Sequence, residues 1–139
     1  MKNFIKFPIF IFFSIQLISE QPLYCVTEGR TGFSGNEGNF KISPFIESRF
    51  IINFEDDYKN MLLNDRNLDS KYSFECNKKK VFAKDVIGLF CLEKTEVGPY
   101  VFIYNIDDKR FVYFQGSVYG YPTNGPDTTI LSKGTCSKF

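Results

Sequence analysis

Apolar and polar residues alternate in several short stretches of the chain. Residues 71–76 (KYSFEC) follow the strict period of two that is typical of a half-buried β-strand. Residues 48–54 (SRFIINF) are β-branched and aromatic and predict a second strand. Residues 86–92 form another apolar run, and residues 128–131 predict a last strand before the sequence GTC. The pattern indicates a protein built from short strands.

The clearest local signal is a β-hairpin over residues 100–115. The apolar segments YVFIYNI and RFVYFQ flank the polar turn DDK. Both segments carry apolar residues at odd and even positions. We therefore expect two central strands covered on both faces.

Residues 55–65 have a helical pattern instead. Tyr58, Met61 and Leu62 lie at positions i, i+3 and i+4, and acidic residues 55–57 suit a helix amino terminus. Turn-forming residues dominate 25–43, 64–70 and 116–126, which predict loops. No repeat with a period of 20 to 50 residues is visible. We predict a mainly β fold, a small antiparallel barrel or sandwich of about six strands with at most one short helix.

The first residues resemble an export signal. Lys2 and Lys6 precede a run of 13 mostly apolar residues, 7–19, which is typical of a secretory signal and is shorter than the roughly 20 residues of a transmembrane helix. We predict a signal peptide over 1–19 and a single β-rich domain over 20–139, with no stable membrane span after cleavage. An uncleaved anchor or a buried first strand is the alternative.

The four cysteines predict a disulfide-stapled domain in a periplasmic or secreted protein. Cys25, Cys76, Cys91 and Cys136 all follow the signal segment, and an even number in an exported chain favours two disulfides. Three connectivities are open. We prefer Cys76 with Cys91, which joins neighbouring predicted strands, and Cys25 with Cys136, which joins the two ends of the domain.

Composition excludes several classes of function. The chain has 17 basic and 16 acidic residues, a formal charge of +1 and no histidine. The small net charge gives no electrostatic reason to expect nucleic acid as a partner. Without histidine, imidazole-assisted serine or cysteine catalysis and the common catalytic zinc sites are ruled out. We predict no cofactor and no metal.

Other polar segments are better explained as turns. Residues 65–75 begin like a calcium-binding loop, but Ser70 stands at the turn-glycine position and Cys76 at the twelfth position, where glutamate is needed. Asp107 and Asp108 are adjacent acids in a turn, where their side chains point apart into water and do not form a catalytic pair. Residues 78–80, three lysines, suit a solvated edge. We nominate no catalytic residue.

Tyr119 and Tyr121 are candidates for recognition. They lie in a loop rich in glycine and proline, and aromatic side chains on such loops bury large areas at low entropic cost. The alternative is that both rings fold back and cap the barrel.

Several short motifs together resemble a group of uncharacterised small exported bacterial proteins with four cysteines. The matching residues are Cys25-Val26, Gly32-Phe33, Phe74 to Cys76, Leu89 to Cys91, Arg110-Phe111, Gly120-Tyr121 and Ile130 to Cys136. The resemblance implies a periplasmic or secreted product and brings no activity with it. Size, export, disulfides and strand content also give a fainter similarity to the β-barrel inhibitors of c-type lysozyme.

Three functional hypotheses follow. The first is a non-enzymatic exported module of a bacterial envelope that binds another protein or has a structural role. The second is an inhibitor of a secreted hydrolase that inserts a loop such as 116–126 into a cleft. The third is a hydrolase that uses carboxylates alone, for which no pair of acids can be named.

Overall fold

A computed structural model describes residues 21–35, 41–80, 87–93, 99–116 and 127–139 of the chain. Every regular element among them is a β-strand, and no helix occurs in these ranges. The strands are β1 Leu23–Gly35, β2 Lys41–Pro44, β3 Arg49–Glu55, β4 Asn60–Asp65, β5 Ser70–Lys80, β6 Ile87–Glu93, β7 Tyr100–Asn105, β8 Arg110–Gly116 and β9 Asp127–Lys138.

The strands form an antiparallel barrel, as the alternating pattern predicted. Each strand from β3 to β9 pairs with its sequence neighbour, and β1 pairs with both β3 and β9. Eight strands therefore close into a ring, which leaves no open sheet edge between them. The remaining strand, β2, lies outside the ring and pairs with the second half of β1, where Phe33 is opposite Ile42.

The predicted helix over residues 55–65 is wrong. Residues 56–59 form a turn, and β4 follows at Asn60. Asp56, Asp57 and Tyr58 all have φ between 53° and 64°, a left-handed conformation that cannot begin a right-handed helix. Met61 is buried while Leu62 is 41% exposed, so the segment follows the period of a strand.

Two other boundaries differ from the prediction. Most of the expected loop over residues 25–43 belongs to β1 and β2, because β9 pairs with nearly the whole length of β1. The same pairing extends the last strand from 128–131 to Asp127–Lys138. These segments are rich in polar residues and glycine, so their own sequence did not predict strands. The pairing that stabilises these strands connects opposite ends of the sequence.

The hairpin over 100–115 is present as β7 and β8, but only one of its two faces is buried. Inward residues such as Phe102 and Tyr113 are buried, whereas outward Ile103 and Val112 are 37% and 39% exposed. A single closed sheet has only one covered face, the interior. The expectation of strands covered on both faces is therefore wrong.

Aromatic side chains fill one half of the barrel interior. We call this half the lower end; it lies beside the turns 56–59 and 106–109. Phe102 stacks on Phe111 with ring centroids 5.2 Å apart, and Phe50 meets Phe111 edge-on at 5.1 Å. Such pairs contribute about 0.5–1.5 kcal/mol each beyond the burial of their area. The lower end is thus a packed hydrophobic core.

The two disulfides are those preferred from the sequence. Cys25 is bonded to Cys136 and Cys76 to Cys91, and each pair lies directly opposite across two neighbouring strands. Their Cα atoms are 4.0 and 3.9 Å apart. This closeness suits pairs that exchange no backbone hydrogen bond.

The barrel contains the same strand arrangement twice. In each copy the amide of a half-cystine donates to the carbonyl of the lysine that ends a hairpin turn, Cys76 to Lys59 at 2.7 Å and Cys136 to Lys109 at 2.8 Å. Each half-cystine is then bonded to the next strand of the ring, β6 or β1. The hairpins β3–β4 and β7–β8 are therefore equivalent, although the sequence predicted no repeat.

The two hairpins are alike in which positions are buried, but different residues occupy those positions. Met61 and Leu63 of β4 occupy the places that Phe111 and Tyr113 occupy in β8, and all four side chains are buried. A search for repeated amino-acid sequence cannot detect this relation.

The predicted signal peptide, residues 1–19, lies outside the described residues. Within the described part of the chain, no helix is long and apolar enough to cross a membrane.

Candidate functional site

The structure describes some of the residues nominated from the sequence and not others. All four cysteines are paired, so they have a structural role. Tyr119 and Tyr121 lie outside the described residues, and the recognition-loop hypothesis stays a prediction.

The calcium-like segment forms a hairpin turn. The Oδ1 atom of Asp65 accepts hydrogen bonds from the amides of Asn67, at 2.8 Å, and Leu68, at 3.3 Å. Asp69 has φ 49° and closes the turn before β5. Among the residues described, no group of three or more acidic or cysteine side chains is arranged to hold a metal ion.

The other charged segments lie at the lower end of the barrel. The Nζ atom of Lys78 is 2.8 Å from an Asp57 carboxylate oxygen and 5.1 Å from the ring centroid of Tyr58. The hydrogen bond from Lys78 lowers the pKa of the Asp57 carboxyl, and the charge of Lys78 adds to the shift. Both side chains of this pair are well exposed, so the contact is a surface ion pair.

Polar side chains line the other half of the barrel interior, the upper end, which lies beside the turn 66–69. The buried polar residues Thr27, Ser48, Asp65, Gln115 and Ser132 all belong to it. The change from an aromatic to a polar interior divides the barrel into two chemically different halves.

Three inward side chains, of which Ser132 is one, form a continuous row across β1, β9 and β8. Arg30 is directly opposite Ser132, and Ser132 is directly opposite Tyr113. We call these three residues the interior polar row. Ser132 is 1% exposed and Tyr113 is 3% exposed. The Nε of Arg30, the Oγ of Ser132 and the hydroxyl of Tyr113 are all buried without a hydrogen-bond partner.

The rest of the Arg30 guanidinium is held firmly. One terminal nitrogen donates to the Ser48 hydroxyl at 2.8 Å and to the Ile46 carbonyl at 3.0 Å. The other donates to Gln115 Oε1 at 3.0 Å. All three acceptors are neutral. The guanidinium carbon is also 6.0 Å from the centroid of the Phe45 ring.

Burial controls the protonation of the tyrosines at this end. It raises the pKa of Tyr113 far above the ordinary value of a phenol, and the neighbouring tyrosines and carboxylates add to the shift. Burial likewise raises the pKa of Tyr100. Both phenols are therefore neutral at physiological pH, and each O–H can act as a hydrogen-bond donor.

The outside of the barrel is chemically uneven. The outward residues of β3, β4 and β5 are mostly polar: Arg49, Asn53, Glu55, Asn60, Asn64, Lys71, Ser73 and Glu75. On β6 to β9, in contrast, seven outward residues are large and apolar. We call them the outer apolar face: Phe90, Leu92, Val101, Ile103, Val112, Phe114 and Leu131.

The outer apolar face is continuous and partly open to solvent. Four of its residues form one cross-strand row, Leu92, Val101, Phe114 and Leu131. Leu92 and Leu131 are 47% and 48% exposed. Contiguous apolar patches on a protein surface often mark interaction sites.

A cleft of about 320 Å³ borders this face on the side of the lower end. Ile103 and Val112 contribute its apolar lining, and Arg110 and Lys133 contribute positive charge. Two acidic residues, Glu28 and Asp108, also line it. The sequence analysis nominated neither the cleft nor the interior polar row, because both combine residues from distant parts of the chain.

Comparison with protein-family models, with curated protein sequences and with solved structures found no match to this chain. The candidate sites therefore stand on their own geometry and chemistry.

Proposed function

We propose that this chain is a non-enzymatic exported binding module that recognises an extended segment of another protein through the outer apolar face and its cleft. The observation that carries the proposal is the coincidence of an open apolar surface with a cleft containing two cations. A partner segment that places a carboxylate in the cleft and an apolar side chain on the outer apolar face would complement both surfaces.

Export is supported by the covalent framework and by the amino-terminal pattern. Two disulfides within one chain suit an oxidising compartment such as the periplasm or the extracellular space. Amino-terminal sequencing of the protein purified from its native source is expected to find a start close to Glu20. A product that retains Met1 would contradict export by signal cleavage.

The charges of the cleft favour an acidic partner. Glu28 already accepts a hydrogen bond from Thr135 at 3.0 Å, and Asp108 accepts one from Asn105 at 3.0 Å. In the described part of the chain, neither Arg110 nor Lys133 takes part in an ion pair. The two carboxylates keep their charge, so the cleft has no net charge, but its positive groups Arg110 and Lys133 remain available to a carboxylate of the partner.

The two cations are placed to act together. Lys133 is directly opposite Val112, two residues along β8 from Arg110, so the cations are diagonal neighbours on adjacent strands. Diagonal neighbours have their Cα atoms roughly 7–8 Å apart, a distance that long side chains can bridge. A single carboxylate can thus reach both.

The size of the surface favours a peptide segment over a whole domain. Neighbouring strands lie about 4.8 Å apart, so the four strands of the face span only about 15 Å between their outer axes. Stable interfaces between domains bury roughly 800 Å² on each partner. We therefore expect a short extended segment with moderate affinity.

Selection from a random peptide display library tests the proposal. The expected result is enrichment of peptides that combine acidic and large apolar residues. Their affinity is expected to fall at least tenfold in Arg110→Glu and in Val112→Ser. The matched controls are Arg49→Glu and Leu62→Ser, which change the same residue types on the outward faces of β3 and β4. Equal loss in the controls, or enrichment without acidic residues, would contradict the proposal.

A further inference from the structure

We infer that the cleft beside the outer apolar face selects a partner segment in which a basic residue lies two positions from the acidic one. This inference rests on the proposed function, because it concerns the same surface, and it names the residues that set the specificity. They are Glu28 and Asp108, which we call the anchored carboxylates. Both line the cleft together with Arg110 and Lys133.

The anchored carboxylates lie on the two sides of Arg110. The residues directly opposite Arg110 are Asn105 on β7 and Thr135 on β9. The side-chain amide of Asn105 donates a hydrogen bond to the Asp108 carboxylate at 3.0 Å. The hydroxyl of Thr135 donates one to the Glu28 carboxylate at 3.0 Å. Each cross-strand neighbour of Arg110 thus holds one carboxylate.

These hydrogen bonds fix the carboxylates without neutralising them, because an amide and a hydroxyl are uncharged donors. Asn105 is itself held in place, since its side-chain oxygen accepts hydrogen bonds from the backbone amides of Asp107 and Asp108 at 2.9 and 3.1 Å. Within the described residues, neither anchored carboxylate forms an ion pair. A partner that brings only negative charge is therefore attracted by Arg110 and repelled from both sides of it.

The balance of charge in the cleft favours a partner segment that is itself balanced. Arg110 and Lys133 supply two positive charges, and the anchored carboxylates supply two negative ones. One carboxylate of the partner, bound by the two cations, leaves the site with an excess negative charge. A basic side chain of the partner beside an anchored carboxylate restores neutrality, whereas a second acid there places like charges together.

The spacing of the strands sets where that base lies. Neighbouring strands are about 4.8 Å apart, so Asn105 and Thr135 are each separated from Arg110 by about that distance between strand axes. On an extended segment, side chains two residues apart project to the same side and are separated by about 6.6 Å. A segment that crosses the strands with its acid on Arg110 therefore brings the residues two positions away within reach of the anchored carboxylates.

The equivalent hairpin of the barrel lacks the central base. Asn60 occupies the place of Arg110, and Glu55 and Glu75 lie directly opposite it on the two neighbouring strands. This row gives a carboxylate of the partner no cation to bind. It provides a control surface on the same barrel.

Fluorescence anisotropy with labelled peptides tests the inference. The peptides are built on one sequence enriched in the display selection, in which the residue two positions from the acid is set to lysine, glutamine or glutamate. We expect the lysine peptide to bind at least threefold more tightly than the glutamine peptide, and the glutamate peptide at least threefold more weakly. Both differences are expected to shrink at 1 M salt, where the screening length is about 3 Å. A fourth peptide, with the lysine directly beside the acid and thus on the other side of the extended chain, is expected to match the glutamine peptide.

Variants of the anchored carboxylates show whether they cause the preference. The double variant Glu28→Gln with Asp108→Asn keeps acceptors for the two anchoring hydrogen bonds but leaves the cleft positive. The order of the lysine, glutamine and glutamate peptides is expected to reverse in it. The matched control, Glu55→Gln with Glu75→Gln, is expected to keep the order of the parent protein.

The outcomes separate this inference from the proposed function. Equal binding of the lysine, glutamine and glutamate peptides to the parent protein, or an order that persists in the double variant, would overturn the inference and leave the proposed function standing. The absence of any enriched peptide, or peptide binding that Arg110→Glu and Val112→Ser do not weaken, would contradict the proposed function itself.

Discussion

At the scale of single residues, two glycines lie on the seam where β1 pairs with β9. They show how the space around a glycine determines whether a larger residue is tolerated there. A Cβ atom added to Gly134 would collide with the backbone carbonyl of Val26 and lie 2.8 Å from the Phe111 ring. A Cβ atom added to Gly29 would meet only the flexible Lys133 side chain, at 3.3 Å from its Cε. The first obstacle is rigid and the second can move.

Gly134→Ala is therefore expected to destabilise the protein by about 1–3 kcal/mol, the usual range for overpacking. Gly29→Ala is expected to stay within about 0.5 kcal/mol, as surface changes usually do. Urea unfolding of both variants measures the difference. Equal losses would show that the seam shifts to accommodate either methyl group.

The ion pair between Lys78 and Asp57 gives a prediction for titration. Since a hydrogen bond from Lys78 lowers the pKa of the Asp57 carboxyl, Lys78→Met is expected to raise that pKa toward its ordinary value. In the parent protein the contribution of this pair to stability is complete above the ordinary carboxyl pKa. It is lost as the pH falls through the lowered one. NMR titration of the Asp57 carboxyl measures the shift, and an unchanged pKa would contradict it.

At the scale of elements, strands with their own local pattern, either alternating or continuously apolar, could be predicted from sequence. Residues 71–76 and the hairpin over 100–115 are such cases, and β5, β7 and β8 confirm them. The strand β1 could not be predicted, because its stability comes from pairing with β9 a hundred residues away. The same reason explains why the sequence did not predict the interior polar row, which combines β1, β8 and β9, or the cleft, which combines residues of β1, β7, β8 and β9.

The turn before β4 shows why a local pattern can mislead. The spacing of Tyr58, Met61 and Leu62 fits a helix, but Tyr58 packs on Phe54, with ring centroids 5.0 Å apart, as part of a hairpin. Packing within the barrel thus outweighs a spacing that spans barely one helical turn.

The turn before β8 occupies the corresponding place but has a different backbone conformation, and it allows a test of left-handed strain. Lys109 has φ 54°, and this conformation costs a non-glycine residue about 1–2 kcal/mol. Lys109→Gly removes that strain but gives the unfolded chain more freedom, so we expect a net gain of roughly 0.5 kcal/mol. Lys59→Gly is the control, since Lys59 is not among the described residues with positive φ. It is expected to lose stability in the same urea measurement.

At the scale of the whole molecule, the repeated strand arrangement places the two disulfides in equivalent positions. Each joins neighbouring strands beside a hairpin turn of the lower end, and their Cα separations, 4.0 and 3.9 Å, are nearly the same. They differ in the length of chain they enclose, with sequence separations of 111 and 15 residues. The fold therefore provides a matched comparison of loop length.

The loss of stability when a disulfide is removed is expected to increase with the length of chain that it encloses. In the chain-entropy model a disulfide stabilises by restricting the unfolded chain, by about 3 kcal/mol for a 15-residue loop and about 4.7 kcal/mol for a 100-residue loop. The double variant Cys25→Ala with Cys136→Ala is expected to be less stable than Cys76→Ala with Cys91→Ala by roughly 1–2 kcal/mol. Urea unfolding of both variants measures the difference. An equal loss, or the reverse order, would show that the disulfides act mainly through packing in the folded barrel, because only the unfolded chain distinguishes the two loops.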